Sequence, residues 1–256
     1  MDEDSARKSA TAASFGASAD GYLGSRTHSE GVDLDRLAAW CEGATRALDV
    51  ATGAGHTAGA LAEAGVGEVI ALDASPSMVA LSVESFPGVE GVGGDAERLP
   101  FAADTFDAVT CRIAAHHFPD PEAFLAEVAR VVRPGGIFAL EDNVAPEDEG
   151  LASFLNRLEG VRDPTHVRSY TTSTWHGWLE AAGFAVRETD HLVKRLEAEP
   201  WIARVSSLDA ADRERVRQFL EDAPEEAGEF FEFRYENGDV HSFGSLKALI
   251  HAERSR

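Results

Sequence analysis

Short apolar segments alternate with amphipathic ones between residue 34 and about residue 143. The apolar segments are expected to be buried strands, at 47–51, 68–72, 89–93, 108–111 and 137–141. Apolar side chains at helical spacing predict helices between them, at about 56–64, 76–85 and 120–132. Because strands that alternate with helices indicate βαβ units, we predict a doubly wound, Rossmann-like α/β fold with a mostly parallel sheet and helices on both faces.

The pattern changes after residue 150. Helices are predicted at about 148–160, 171–182 and 209–221, and strands near 184–193, 230–236 and 245–252. The pair Asn237-Gly238 lies between the last two strands and tolerates the positive φ of a type I′ hairpin turn. We therefore expect antiparallel C-terminal strands to complete the sheet, with an extra helical segment at about 148–182 and 198–224.

The first 33 residues are rich in Ala, Ser and Gly and show no sustained periodicity. They are expected to form a flexible N-terminal leader or cap, before a single domain over 34–256. The first ten residues are acidic, unlike the basic start of a secretory signal, and the longest apolar runs are far below the roughly 18 residues that cross a bilayer. We expect a cytoplasmic protein with no membrane span.

The charge balance is strongly acidic. The chain has 45 acidic and 23 basic residues, which gives a net charge of −22, and only Lys8, Lys194 and Lys247 are lysines. Such a field repels a polyanion, so no nucleic-acid partner is expected, and it favours a halophilic source because high salt screens self-repulsion. The distant Cys41 and Cys111 are expected to be buried thiols, with no metal site.

A glycine-rich turn joins the first predicted strand to a helix. Gly53-x-Gly55-x-x-Ala58 fits the dinucleotide fingerprint, so an NAD site is one interpretation. Asp49, in the strand just before this turn, instead suits an amino group better than a pyrophosphate. Asp73 ends the next strand and can grip ribose hydroxyls, and Asp95 follows the third strand. The sequence thus indicates a nucleoside-bearing ligand at the carboxyl edge of the sheet.

Five ordered motifs within residues 15–193 carry a family resemblance: LDVATGAGHTA, ALDASPSM, GDAERLPF, FDAVTCRIAAHHFPDP and RVVRPGG. Together they resemble class I methyltransferases that use S-adenosyl-L-methionine (SAM), in the type 11 group that includes ubiquinone/menaquinone-biosynthesis C-methyltransferases. The resemblance implies a SAM-binding enzyme of Rossmann-like fold.

For the methionine end of SAM, the resemblance implies five positions. Asp49 would hold the amino group, and Gly53 and Gly55 would give the backbone room to approach. The backbone around Arg112 would face the same end. Ala51 belongs to the set, although many family members have glycine at its position.

For the adenosine end, the resemblance implies a second set. Asp73 would bind both ribose hydroxyls, with Ala74 beside it. Asp95 would bind the adenine amine, the N–H of Ala96 would bind a ring nitrogen, and Met78 would pack near the base.

His116 and His117 follow the fourth strand, at the edge where open α/β sheets bind ligands. Either could remove a proton from a phenol or enol, since an ordinary histidine titrates near pH 6.5. We favour a positioning role, because displacement at a sulfonium needs no base when the nucleophile is already reactive. The leading hypothesis is methyl transfer to a small, neutral or cationic organic acceptor; acceptor identity and oligomeric state stay open.

Two alternatives remain from the sequence alone. One is an NAD-linked oxidoreductase, which leaves Asp49 and Asp95 unexplained and has no clear Tyr-x-x-x-Lys pair. The other is a protein that binds SAM without catalysis.

Overall fold

A mixed β-sheet runs through the protein, whose computed structural model describes residues 3–17 and 31–256. Its strands are β1 (Arg46–Val50), β2 (Glu68–Asp73), β3 (Val89–Gly93), β4 (Phe106–Arg112), β5 (Val132–Asn143), β6 (Phe184–Glu197), β7 (Arg234–Glu236) and β8 (Asp239–Arg254). Within the described residues they form an eight-stranded sheet of order β3-β2-β1-β4-β5-β8-β6, with β7 on β8. Strands β1 to β5 pair in parallel, and β8 pairs antiparallel with β5, β6 and β7.

The helices cover both faces of this sheet. They are α1 (Glu3–Ala17), α2 (Val32–Trp40), α3 (His56–Glu63), α4 (Pro76–Ser85), α5 (Pro121–Val131), α6 (Glu149–Arg162), α7 (Thr172–Ala181), α8 (Ala198–Ala203), α9 (Ala210–Glu221) and α10 (Glu225–Phe230), with a short 3-10 helix at Ala115–His117. One core joins α5 and α7 to the sheet, and the opposite core joins α2 and α3 to it. The predicted doubly wound, Rossmann-like fold is confirmed.

Local sequence explains the element boundaries. Asp120 caps α5 by accepting a hydrogen bond from the Ala123 N–H, and Pro121 occupies the first helical position. Asn237 and Gly238 have φ of 55° and 100°, so the predicted hairpin turn joins β7 to β8.

The extra helical segment splits between two cores. Helices α6, α8, α9 and α10 share a separate apolar cluster that includes Phe154, Trp201 and Phe231. Helix α7 instead packs its Trp175 against the main sheet. Helices α6, α8, α9 and α10 therefore form a small helical lobe with its own apolar core.

Two sequence predictions about elements are wrong. Residues 3–17 form α1, whereas no helix was expected there. The half-buried face of this helix includes Lys8, Thr11, Ala12 and Phe15. Lys8 and Thr11 are polar, so these positions do not form the apolar stripe by which a helix is recognised in a sequence. The expected leader over residues 18–30 lies outside the described residues. The strand predicted near 230–236 exists only at 234–236, because Phe231 buries its ring in the helical lobe as α10 ends.

Candidate functional site

A cavity of about 780 Å³ opens at the carboxyl ends of β1, β2, β3 and β4, beneath α1. We call it the main cavity. The predicted site residues that line it are Ala51, Gly53, Asp73, Ala74, Met78, Asp95, Ala96, Arg112 and His117. Asp49, Gly55 and His116 do not line it. The order of the strands explains the gathering, because the ends of neighbouring parallel strands meet at one edge.

Asp73 ties the second strand to the glycine turn. One carboxylate oxygen accepts from the Gly53 N–H at 3.0 Å, and the other accepts from the Ser75 N–H at 2.8 Å. Burial raises the pKa of Asp73 above its usual value, against the effect of these hydrogen bonds. The carboxylate therefore shapes the turn as well as facing the main cavity.

Asp49 lies behind the glycine turn and is 1% exposed. Its two oxygens accept from the hydroxyls of Thr52 at 2.6 Å and Thr110 at 2.7 Å. Burial raises the pKa of Asp49 to about 6, although both hydroxyl bonds act in the opposite direction. Asp49, in β1, is therefore linked to the glycine turn through Thr52 and to β4 through Thr110.

Two positions in the turn require particular backbone conformations. A Cβ on Gly55 would lie 2.6 Å from the Cβ of Ser82, and its φ is +92°, so this glycine allows α3 and α4 to pack closely. Ala51 has φ of +54°, in the left-handed region that L-residues seldom adopt. A glycine would adopt that conformation without strain.

Asp95 is contacted by helix α1. Its carboxylate accepts from the Lys8 ammonium at 2.8 Å and from the Glu97 N–H at 3.0 Å. Lys8 also forms an ion pair with the Glu97 carboxylate. The helix that sequence analysis did not predict thus closes one wall of the main cavity.

The Arg112 guanidinium belongs to a buried ionic network. It pairs with Asp33 at 2.5 Å and with Glu141 at 2.6 Å. Lys194 pairs with Asp33 at 2.5 Å, and the Lys247 ammonium lies 3.8 Å from Glu141. Burial raises the pKa of Asp33, but the charges of Arg112 and Lys194 lower it by more, so the carboxylate stays ionised. The network fixes α2 to the end of the sheet.

A smaller cavity of about 70 Å³ adjoins the main cavity. It is lined by His116, His117 and His166, and we call it the histidine chamber. Phe15, Ile113 and His117 line both cavities. The Phe15 ring meets the His117 ring edge-on, with centroids 5.0 Å apart, so α1 also covers this junction.

His116 forms a buried pair with Asp142. Its Nδ1 lies 2.5 Å from one carboxylate oxygen, and its backbone N–H donates to the other at 2.7 Å. Burial lowers the pKa of His116, but the Asp142 charge raises it by more, leaving it above the ordinary value. The ring of His116 therefore carries a positive charge through the acidic range.

Sequence reasoning missed Ile113 and Phe15 as cavity residues. Ile113 has φ of +55°, a genuine outlier for a β-branched side chain, and such strain concentrates at functional sites. Phe15 was recognisable only from its spacing with Lys8 on one helical face. His166 is held near His116 by its neighbours Val167 and Arg168, whose N–H groups donate to the His116 carbonyl at 2.9 and 3.0 Å.

Comparisons with known proteins identify the family. A family model described as a methyltransferase domain matches residues 48–140. The chain is 39% identical over 245 residues to the uncharacterized methyltransferase YcgJ of Bacillus subtilis, an alignment that spans 92% of this chain and 95% of the relative. This chain belongs to that methyltransferase family.

Solved structures agree with this assignment. The crystal structure of Bacillus subtilis YcgJ matches with a TM-score of 0.82 at 34% identity, covering 88% of this chain and 98% of that one. A demethylmenaquinone methyltransferase of Renibacterium salmoninarum is 42% identical, but only over 91 residues, 36% of this chain and 38% of the relative. The protein is a SAM-dependent methyltransferase, and the NAD-linked alternative is set aside.

Among the described residues, no helix has the length and apolar character to cross a membrane. In the same part of the chain, no three His, Cys, Asp or Glu side chains are arranged to hold a metal ion. Cys41 and Cys111 are both buried and unbridged.

Proposed function

We propose that the main cavity holds SAM and that a small organic acceptor enters the histidine chamber from it. The observation that carries this proposal is the junction at His117, where the cavity lined by Gly53, Asp73 and Asp95 meets the chamber. The volume of the main cavity, about 780 Å³, lies within the roughly 300–1,000 Å³ of small-molecule sites.

The residues present fit the cofactor. Asp95 already accepts a hydrogen bond from an amine, that of Lys8, which supports its proposed contact with the adenine amine. A Cβ built on Gly53 meets no described atom within 4 Å, so the backbone offers an open approach to the methionine end. Met78 is 1% exposed and supplies an apolar wall near the base.

The position of Asp49 behind the glycine turn changes the role that we propose for it. Since its oxygens already accept from Thr52 and Thr110, we propose that it supports the turn, and that its contact with the methionine amino group is an additional one. Gly55 would act in the same indirect way, through the packing of α4.

Bound SAM supplies an electrophilic methyl group on a sulfonium. The protein contributes binding, orientation and exclusion of water, which suffice for an in-line displacement. Asp73 would hold the ribose, while Phe15 would shield the junction and His117 would orient the acceptor. Burial and the nearby charge of His116 lower the pKa of His117 to about 3, which makes this ring a weak base. This supports positioning over proton removal.

Titration calorimetry with SAM, its demethylated product and NAD tests the cofactor assignment. We expect heat from SAM and from the product, and none from NAD. Transfer of label from methyl-labelled SAM across a library of neutral and cationic acceptors then identifies the substrate. Binding of NAD with no SAM heat would overturn the proposal.

Three expectations from the sequence remain predictions. They are the lack of a nucleic-acid partner, a cytoplasmic location and a halophilic source, all of which rest on charge and composition. A melting temperature that rises from low salt to molar KCl would support the halophilic interpretation.

A further inference from the structure

Three imidazole rings meet in the histidine chamber. The ring centroids of His116 and His117 are 4.2 Å apart, those of His116 and His166 are 5.7 Å apart, and those of His117 and His166 are 6.5 Å apart. Each residue is less than 10% exposed. Which ring nitrogen carries a proton decides what this chamber can bind.

The contacts of His117 fix its tautomer. Its Nδ1 lies 3.0 Å from the Thr165 carbonyl oxygen, which can only accept, so Nδ1 carries the proton and donates it. The Thr165 hydroxyl lies 3.2 Å from the same nitrogen and donates its own proton to Asp163 at 2.6 Å, so it too accepts from Nδ1. Nε2 of the neutral ring is then a lone pair, and no described residue bonds to it.

Asn156 fixes the tautomer of His166, in which the proton lies on Nε2 and not on Nδ1 as in His117. The Asn156 amide nitrogen donates to the carbonyl oxygens of Ala152 and Ser169, each at 3.0 Å, so its orientation is determined. Its oxygen accepts from the Ser169 N–H at 2.7 Å and faces His166 Nε2 at 3.1 Å. Nε2 of His166 is therefore the protonated nitrogen, and Nδ1 is a lone pair.

The lone pair on His166 Nδ1 is buried without a partner among the described residues. His166 is 8% exposed and is one of the residues that line the chamber. A buried acceptor left unpaired costs free energy, and native proteins pair such groups with protein, water or ligand. The chamber therefore calls for a hydrogen-bond donor at this point.

Both rings are neutral near pH 7. Burial, followed by the charge of His116, lowers the pKa of His117 to about 3 and that of His166 to about 4. The lone pairs of neutral imidazoles repel a carboxylate oxygen. The chamber wall holds three basic side chains, those of Arg162, Arg204 and Lys247, and two acidic ones, those of Glu159 and Asp163; because the basic groups outnumber the acidic ones, an ammonium is disfavoured.

We propose that the histidine chamber recognises a neutral hydroxyl group of the methyl acceptor, which donates its single hydrogen bond to His166 Nδ1, and that His117 Nε2 at the junction is the alternative acceptor for that proton. The inference rests on the proposed function and narrows its acceptor to hydroxyl-bearing molecules. The chamber volume of about 70 Å³ exceeds the roughly 10–15 Å³ that one water needs, so a hydroxyl and its nearest atoms fit.

The test uses the full chain labelled with nitrogen-15 at histidine and saturated with the demethylated product of SAM. Phenol is titrated against it, with anisole as the probe that has the same ring but no donor, and benzoate and benzylamine as charged probes. Signals are assigned with the His166→Phe and His117→Asn variants. We expect phenol to shift the unprotonated nitrogen of His166 saturably, with a smaller shift at His117, and the other probes to leave both in place.

Two binding measurements support the spectra. His166→Phe removes the lone pair and keeps a ring, so we expect phenol affinity to fall about 2- to 10-fold, as for one neutral hydrogen bond, while anisole affinity stays unchanged. His241→Phe, at an exposed position, is the matched control. Should His166→Phe not fold, His166→Gln assigns the His166 signal in its place, and the wild-type spectra still decide.

The outcomes separate the two proposals. No binding of SAM or its product by the wild type would overturn the proposed function. Normal product binding, with His166 unmoved by phenol or moved equally by anisole or benzoate, would overturn the hydroxyl assignment alone and leave the chamber a water-filled cavity.

Discussion

The main cavity and the histidine chamber adjoin at His117, yet they are built from different kinds of structure. The main cavity uses strand ends and backbone groups, and its carboxylates are fixed by near neighbours, as Asp73 is by Ser75. The chamber uses side chains from distant segments: His116 meets Asp142, and His117 meets Thr165. Backbone geometry therefore sets the first region, and long-range packing sets the second.

This difference also separates their electrostatics. The main cavity is open enough for its acids to meet a ligand or the Lys8 ammonium. In the chamber, burial and one charged ring lower the pKa of two others. Substitutions on one side should accordingly alter SAM binding, and those on the other side acceptor binding or pH response.

The largest effect is expected from Asp73→Ala. We predict SAM binding weakened by about 10- to 150-fold, because hydrogen bonds to a charged group contribute roughly 1.5–3 kcal/mol. Calorimetry measures it, with the exposed Asp239→Ala as control. A loss below about threefold would place the ribose contact elsewhere.

The second prediction concerns the pH dependence of the free energy of unfolding, which reports on His166 in the histidine chamber. An unfolded histidine titrates near pH 6.5, whereas burial and the charge of His116 hold the pKa of folded His166 at about 4. Between these values the unfolded chain binds a proton that the folded chain does not. The contribution of His166 is thus fully present above pH 6.5 and is lost, at roughly 1.4 kcal/mol per pH unit, as the pH falls to about 4.

Urea unfolding of His166→Gln and of the wild type isolates this contribution. The raised pKa values of His116 and Asp49 act in the opposite sense, but both groups are present in both proteins, so their effects cancel in the comparison. We expect the variant to lose less stability than the wild type from pH 7 to pH 4.5. The control, His241→Gln, should follow the wild type. Parallel curves for all three proteins would show that His166 is not held neutral.

A smaller effect is predicted for His117→Asn. If this ring only positions the acceptor, the transfer rate should fall about tenfold or less, with the loss mainly in acceptor affinity and SAM affinity intact. Transfer of labelled methyl at varied acceptor concentration separates the effect on the maximal rate from the effect on acceptor affinity. A rate loss of about 10²- to 10⁴-fold with a flattened pH profile would instead make the histidine a general base.

The smallest effect should come from Lys8→Met. Lys8 and the adenine amine would compete for the Asp95 carboxylate, so its removal should tighten SAM binding, by up to about fivefold for a part-exposed ion pair. Lys8→Arg keeps the charge and serves as control. Weaker SAM binding in the methionine variant would mean that the lysine helps to hold α1 over the bound cofactor.

The same difference between regions explains what could be predicted from sequence. Asp73 and Asp95 follow apolar strands directly, so the alternation of strands and helices places them at one sheet edge. His166 lies in the connection 163–171, and its contact with His116 depends on backbone bonds that no local pattern encodes. Helix α1 was not predicted because its inner face covers a cavity. A helix that forms a cavity wall does not need the continuous apolar stripe that identifies a helix packed on a core.

The distribution of lysine has a consequence for chemical labelling. Lys247 is 3% exposed and donates to Asn143, and Lys194 is held in the network around Asp33. Lys8, with 28% of its side chain exposed, is the most accessible of the three side-chain amines. Among the lysines, an amine-reactive dye would therefore attach preferentially to Lys8, on α1 at the rim of the main cavity, where it could report cofactor binding without an introduced cysteine.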